Sequence, residues 1–269
     1  MSEHSEHKQA PSLARRHFLG IAAATAGRVG ALAALSSLPI IGSSSAAKAT
    51  VVPPAPCFLR GTKILTSRGE AHVQDLRIGD LVVTAEGEPV PIKWIGRNLF
   101  KKAGTPSWPE KVQPIRVSRF AIDDKTPHAD LYLSPEHALY MDGVLIPVRH
   151  LINGRSITPA MPEGMDAVEY FHVELETHEV IFAEGTPVES FLVTDENREG
   201  FTNFVEYERL YGAESPAMTP YAPIVAYRGG RAELKALLRL AVSPLVDVRD
   251  PIQLAYSRIE ARAEELVDC

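Results

Sequence analysis

Between Pro53 and Val193 the apolar positions come in short runs rich in β-branched side chains, and each run is cut by Gly, Pro, Asp or Ser. Runs of that length, closed by turn formers, predict an all-β domain. Lys63-Ile64-Leu65-Thr66 stops at Ser67-Arg68-Gly69, and Leu81-Val82-Val83-Thr84 stops at Ala85-Glu86-Gly87. Val90 to Arg97 contains Pro91, which cannot donate to a ladder, so this run is expected at an edge or a bulge. Leu131–Leu133, Ala138–Met141, Val144–Ile146 and Val180–Phe182 continue the series, and Asp142-Gly143 predicts a tight hairpin between the middle two. Residues 98–129 and 154–168 lack clear periodicity and read as long loops.

Past Val193 the period lengthens. Leu234, Leu237, Leu238 and Ala241 fall at helical spacing within Arg231–Val242. Asp250-Pro251 reads as an N-cap with proline at the first helical position, followed by Ile252, Ala255, Ile259, Ala263 and Leu266 on one face. The chain therefore divides into a β domain at 57–193 and a C-terminal extension with helices at 194–269.

The first 49 residues have a different character. Ser12-Leu13-Ala14-Arg15-Arg16-His17-Phe18-Leu19-Gly20 precedes a weakly apolar Ala- and Gly-rich stretch and resembles a bacterial twin-arginine export signal. Arg28 inside that stretch is costly for a spanning helix, and Ala47-Lys48-Ala49 offers the small residues that a signal peptidase reads. Residues 1–49 are expected to be a signal peptide and 50–56 a proline-rich leader, with the protein exported to the periplasm or secreted. Removing Lys8, Arg15, Arg16, Arg28 and Lys48 along with only Glu3 and Glu6 leaves a more acidic body than the whole, whose net charge is −6. That balance, without a basic stripe, argues against nucleic acid as a partner.

Chemistry-bearing residues are few. The two cysteines, Cys57 and Cys269, are too few for a disulfide scaffold or a cysteine zinc site. Cys57 stands between a stiff Pro-rich leader and the first strand, where a thiol is either a nucleophile or a small buried hydrophobe. A nucleophile needs a base, and His137 in Leu133-Ser134-Pro135-Glu136-His137-Ala138 is the candidate. The separation of His172 and His178 matches no short metal-ligand motif, so both read as structural histidines at the surface. No cofactor and no metal is expected.

In combination these segments say more. Cys57-Phe58-Leu59-Arg60-Gly61-Thr62-Lys63-Ile64-Leu65-Thr66, with Gly69 and Val73-Gln74-Asp75-Leu76-Arg77-Ile78-Gly79-Asp80-Leu81-Val82, resembles the opening motif of the hedgehog/intein (Hint) family, in its bacterial Hint-type branch. Asp130 to His137 is similar to the family's Thr-x-x-His block, with Ser134 in place of Thr, and His172 to Phe191 looks like its closing strands. The resemblance implies an all-β horseshoe with pseudo-twofold symmetry, carrying a C-terminal helical tail here. It also implies attack by Cys57 on the carbonyl upstream to give a thioester. His137 would then do proton work at the Cys57 nitrogen, Ser134 would hold that histidine or polarise the bond, Asp130 would assist the thiol, and His178 would orient the closing strand. Where an intein closes on His-Asn followed by Cys, Ser or Thr, this chain has Val188-Glu189-Ser190-Phe191. Without an Asn to cyclise or a second nucleophile, the expected reaction is cleavage of Pro56–Cys57 without splicing, the substrate being the chain's own leader and the resolving nucleophile water or an unknown nucleophile. The other readings are a non-catalytic Hint scaffold used for binding or assembly, and a periplasmic cysteine hydrolase acting in trans.

Overall fold

The computed structural model describes residues 56–102, 104, 107–194, 197–212, 216–226 and 250–267. The expected export signal, most of the expected leader, the helix expected at Arg231–Val242, and Cys269 lie outside the described residues.

Fourteen strands occur among the described residues. In chain order they are β1 (Phe58–Leu59), β2 (Lys63–Thr66), β3 (Gly69–His72), β4 (Leu81–Val83), β5 (Pro89–Pro91), β6 (Trp94–Lys101) and β7 (Ile115–Val117). Then follow β8 (Leu131–Leu133), β9 (Ala138–Met141), β10 (Val144–Pro147), β11 (Ile157–Pro159), β12 (Ala167–Glu174), β13 (Val180–Ala183) and β14 (Thr186–Glu189). One sheet runs β11-β7-β8-β1-β12-β6, and the other runs β10-β9-β14-β13-β2-β4-β5 with β3 added against β2. The long antiparallel ladder of β6 and β12 carries eight residue pairs, from Ala167↔Lys101 to Glu174↔Trp94.

The turn chemistry is where the sequence puts it. Asp142 (φ 50°) and Gly143 (φ 83°) are both left-handed, as the two-residue hairpin joining β9 and β10 requires. Pro91 ends up on β5, at the edge of its sheet. The run around it is in fact two strands: β5 pairs with β4, while Trp94 onward belongs to the other sheet. The expected loops are also shorter than they read. β6 continues to Lys101, and β7 and β11 pair with one another inside the stretches taken as irregular. β6 is an edge strand whose outer half exposes Arg97, Leu99 and Lys101 and turns Asn98 and Phe100 inward, which blurs the pattern, while the two charges protect the edge. β7 and β11 have three residues each, too few to show a period.

Between the sheets lies a core built from Phe58, Ile64, Val82, Ile115, Leu131, Leu133, Leu139, Phe171, Val173, Ile181 and Val188 among others. Alternation places these residues on the inner faces, and their burial supplies the driving force for folding. A second cluster gathers Cys57, Leu59, Trp94, Tyr170, Phe191 and Val193 together with Phe201 and Tyr207. The last two come from the extension, where Phe204–Tyr211 forms helix α1, an element that the hydrophobic pattern does not announce. Glu174 on β12, with a side chain fully buried, takes a two-pronged ion pair from Arg198 of the extension at 2.7 and 3.1 Å, and the Arg198 guanidinium lies 4.4 Å from the Tyr207 ring centre. Helix α2 (Pro251–Val267) follows the predicted boundary and buries Ile252, Ala255, Ile259 and Ala263. Its Arg258 pairs with Asp142 and its Arg262 donates to the Phe120 carbonyl. No helix among the described residues is long and apolar enough to cross a membrane.

Candidate functional site

Strand β1 is only two residues long and lies between β8 and β12. Its registers, Phe58↔Leu133 on one side and Phe58↔Phe171 on the other, extend by one residue to set Cys57 between Ser134 and His172. Both main-chain groups of Cys57 are held by Ser134: the Cys57 N–H donates to Ser134 Oγ at 2.8 Å, and the Ser134 N–H donates to the Cys57 carbonyl at 2.9 Å. The peptide nitrogen of the Pro56–Cys57 bond is thus fixed by a side chain rather than by a ladder. Cys57 is fully buried, and the loss of solvent pushes its thiol well above the ordinary value.

His137 closes a turn begun at Ser134, its N–H donating to the Ser134 carbonyl at 3.0 Å. Its ring stacks at a tilt on Phe58, 4.4 Å between centres. Nε2 lies 3.1 Å from the Glu189 main-chain carbonyl, which only accepts, so Nε2 carries the hydrogen. Nδ1 is buried and has no hydrogen-bond partner, which leaves its lone pair for proton transfer. Burial lowers the His137 pKa, against an upward pull from the Glu189 charge and from the backbones of Cys57 and Glu189, while His178 pushes it down further. Glu189 grips the same corner twice, since its Oε1 accepts the Ala138 N–H at 2.7 Å.

His178 is also buried. Its Nδ1 accepts the Tyr221 N–H of the extension at 2.9 Å, and its Nε2 faces Glu189 Oε2 at 3.6 Å. His172 completes the cluster with 1% exposure and no hydrogen-bond partner on either ring nitrogen. Its pKa falls well below the usual value, chiefly through burial and then through the neighbouring His137, while the backbone of Pro56 draws it up and His178 lowers it. Phe191 meets the His172 ring edge-on at 3.7 Å and Phe201 stacks on it at 5.3 Å. Gly96, paired with His172 across the ladder, leaves room for that aromatic lid, because a Cβ there would come within 2.8 Å of Phe201 and 2.9 Å of Trp94.

Of the five residues singled out by sequence, the structure gathers Cys57, Ser134 and His137, with His178 behind Glu189. It does not bring Asp130 to them. Asp130 precedes the far end of β8, is exposed, accepts the Arg119 N–H at 2.8 Å and lies 3.8 Å from Arg116. From Leu133, which faces Phe58, it is three residues along an extended chain, about 10 Å. His172 and His178, read as surface histidines, are interior. His172 and Glu189 are the members that sequence reasoning passed over, and the signal that reveals His172 is a register, invisible in linear spacing.

Residues 56–195 match the family model described as the Hint domain. No curated protein matches the chain. Among solved structures the chain is similar to the gp41-1 intein at 11% identity, covering 50% of this chain and 98% of that one with a TM-score of 0.36. A DnaB intein from Synechocystis sp. PCC 6803 gives 10% identity, 51% and 100% coverage, and 0.35. A bacterial intein-like domain from Clostridium thermocellum gives 13%, 50% and 98%, and 0.34.

Proposed function

The chain belongs to the Hint-domain family, and on that premise we propose that it is an exported, self-processing protein that cuts its own Pro56–Cys57 bond without splicing. The Hint fold is one of self-processing domains in general. The observation that carries the finer reading is the hold on Cys57: a buried thiol next to a peptide nitrogen pinned by Ser134, with two neutral imidazoles beside it.

In this reaction the Cys57 sulfur attacks the Pro56 carbonyl carbon. Its proton passes to His137 Nδ1, and the resulting imidazolium returns it to the Cys57 nitrogen as the C–N bond breaks, leaving a thioester and a free amine. His172 acts as a neutral donor toward the oxyanion on Pro56, a role that suits a histidine kept uncharged by burial and in reach of the Pro56 backbone. Ser134 fixes the nitrogen. Glu189 positions His137, and His178 positions the closing strand. Water then hydrolyses the thioester, releasing the leader as a carboxylate and regenerating the thiol, so each chain turns over once.

Intact mass and N-terminal sequencing of the exported protein test this. Wild type should begin at Cys57, Cys57→Ala should keep the leader, and hydroxylamine should speed release from a trapped thioester. A wild-type chain that keeps its leader, unchanged by thiol or hydroxylamine, would establish the non-catalytic scaffold instead.

A further inference from the structure

A second group of ionisable side chains gathers where the β2–β3 hairpin, the segment leading into β8 and the β13–β14 turn meet. Glu70 stands on β3, His128 precedes β8, and Glu184 opens the turn into β14. One donor atom from each can be chosen so that all three lie within 4.8 Å of one another. His128 Nε2 is 2.5 Å from Glu70 Oε1, and His128 Nδ1 is 3.5 Å from Glu184 Oε2. These residues are far apart in sequence, so no ligand spacing betrays them.

We propose that Glu70, His128 and Glu184 bind a divalent transition-metal ion of the zinc class. The independent pointer is Glu184. Its residue exposure is 5%, its Oε1 is tied to the Lys63 N–H at 2.7 Å, and its Oε2 is buried, without a hydrogen-bond partner, and aimed at His128. A buried carboxylate oxygen with no hydrogen bond and only an imidazole 3.5 Å away is expensive, and a cation repays that cost. Two carboxylates and one imidazole suit zinc and its neighbours, whereas calcium and magnesium take all-oxygen sets. The imidazole of His128, 38% exposed, leaves the ion a route from solvent. Gly185 supplies the cradle: a Cβ there would stand 3.1 Å from His128 Cδ2. The nearest competing charge is Lys63, whose Nζ is 3.9 Å from Glu70 Oε2 and whose half-exposed side chain can swing aside.

The test is calorimetric titration of Zn²⁺ alone into the full chain and into His128→Ala, Glu184→Gln, Glu70→Gln and Cys57→Ala variants. One ion should bind the full chain and the Cys57→Ala variant alike, raise the melting temperature of both, and bind about 100-fold or more weakly once any of the three ligands is removed. Glu70→Gln guards against misfolding, because the Glu70 side chain is 31% exposed. With Co²⁺ as the probe, d–d absorption should appear without a thiolate charge-transfer band. Loss of binding confined to Cys57→Ala would overturn the proposal by placing the ion at the thiol. Equal affinity in all variants, no binding at all, or Mg²⁺ and Ca²⁺ binding as tightly as Zn²⁺ would overturn it too.

Discussion

Two groups of histidine and carboxylate in this molecule use the same parts to opposite effect. Around Cys57, His137 and His172 are sealed beneath Phe58, Phe191 and Phe201, and burial holds both uncharged. At the β13–β14 turn, His128 sits between two carboxylates and remains open to water. The lesson is that solvent, more than residue type, decides what an imidazole does. A dry ring keeps a lone pair or a neutral N–H for a reacting bond, and a wet ring facing carboxylates favours positive charge from outside.

The largest effect should come from the dry group. His137→Gln is expected to slow appearance of the Cys57 N-terminus by about 10²–10⁴-fold with the circular dichroism spectrum unchanged. His172→Phe should cost about 10²–10³-fold, and His172→Gln, which restores a donor, should recover part of it. Equal rates for Phe and Gln would mean that His172 only fills space. Next, Arg198→Ala strands the buried Glu174 carboxylate, with Lys93 Nζ 3.9 Å away as its remaining partner, and should destabilise the fold by about 3 kcal/mol in urea denaturation. A negligible loss would show the extension to be separable from the β domain.

Acid should find the dry histidines first. Their folded pKa values lie below the unfolded 6.5, so the unfolded chain binds more protons and stability falls as pH drops from 6.5 toward the depressed values. The slope approaches about 1.4 kcal/mol per pH unit for each proton at the limit. Glu174 and Glu184, raised by burial, act in the opposite sense, their contribution being lost as pH rises above 4.5. His172→Gln should flatten the slope seen in denaturant midpoints, and an unchanged slope would remove His172 from the buried titrating set. The smallest effect belongs to the wet group: without added metal, Glu70→Gln should shift stability by no more than about 0.5 kcal/mol and leave the cleavage rate within about twofold. A large loss would mean that the two groups are coupled.

What could be read from the chain follows the range of the forces involved. Asp142-Gly143, Pro91 and the Asp250-Pro251 helix start are local choices, and local chemistry announces them. Cys57, Ser134 and His137, which the fold brings together, stand out as candidates because their motifs lie within short segments. His172 and Glu189 owe their places to strand pairing across distant parts of the chain, and Arg198 to a salt bridge from outside the β domain. Asp130 shows the converse: the resemblance of the Asp130–His137 block implies a shared site, but an extended strand carries Asp130 away from Ser134.

The shortness of β1 bears on what the proposed cut would leave behind. An amide nitrogen offers one hydrogen to the site, and Ser134 Oγ takes it. The amine that the proposed cleavage would form at Cys57 offers two, or three as an ammonium, in surroundings built for one. The surplus donors need water, and a two-residue strand offers little resistance to giving it to them. Cleavage should therefore loosen the end of β1 and make the new amine a poor nucleophile for re-forming the bond. In hydrogen exchange, the amides of Phe58 and Leu59 should exchange faster in the processed chain than in the Cys57→Ala precursor, with the β6–β12 ladder unchanged as the internal clock.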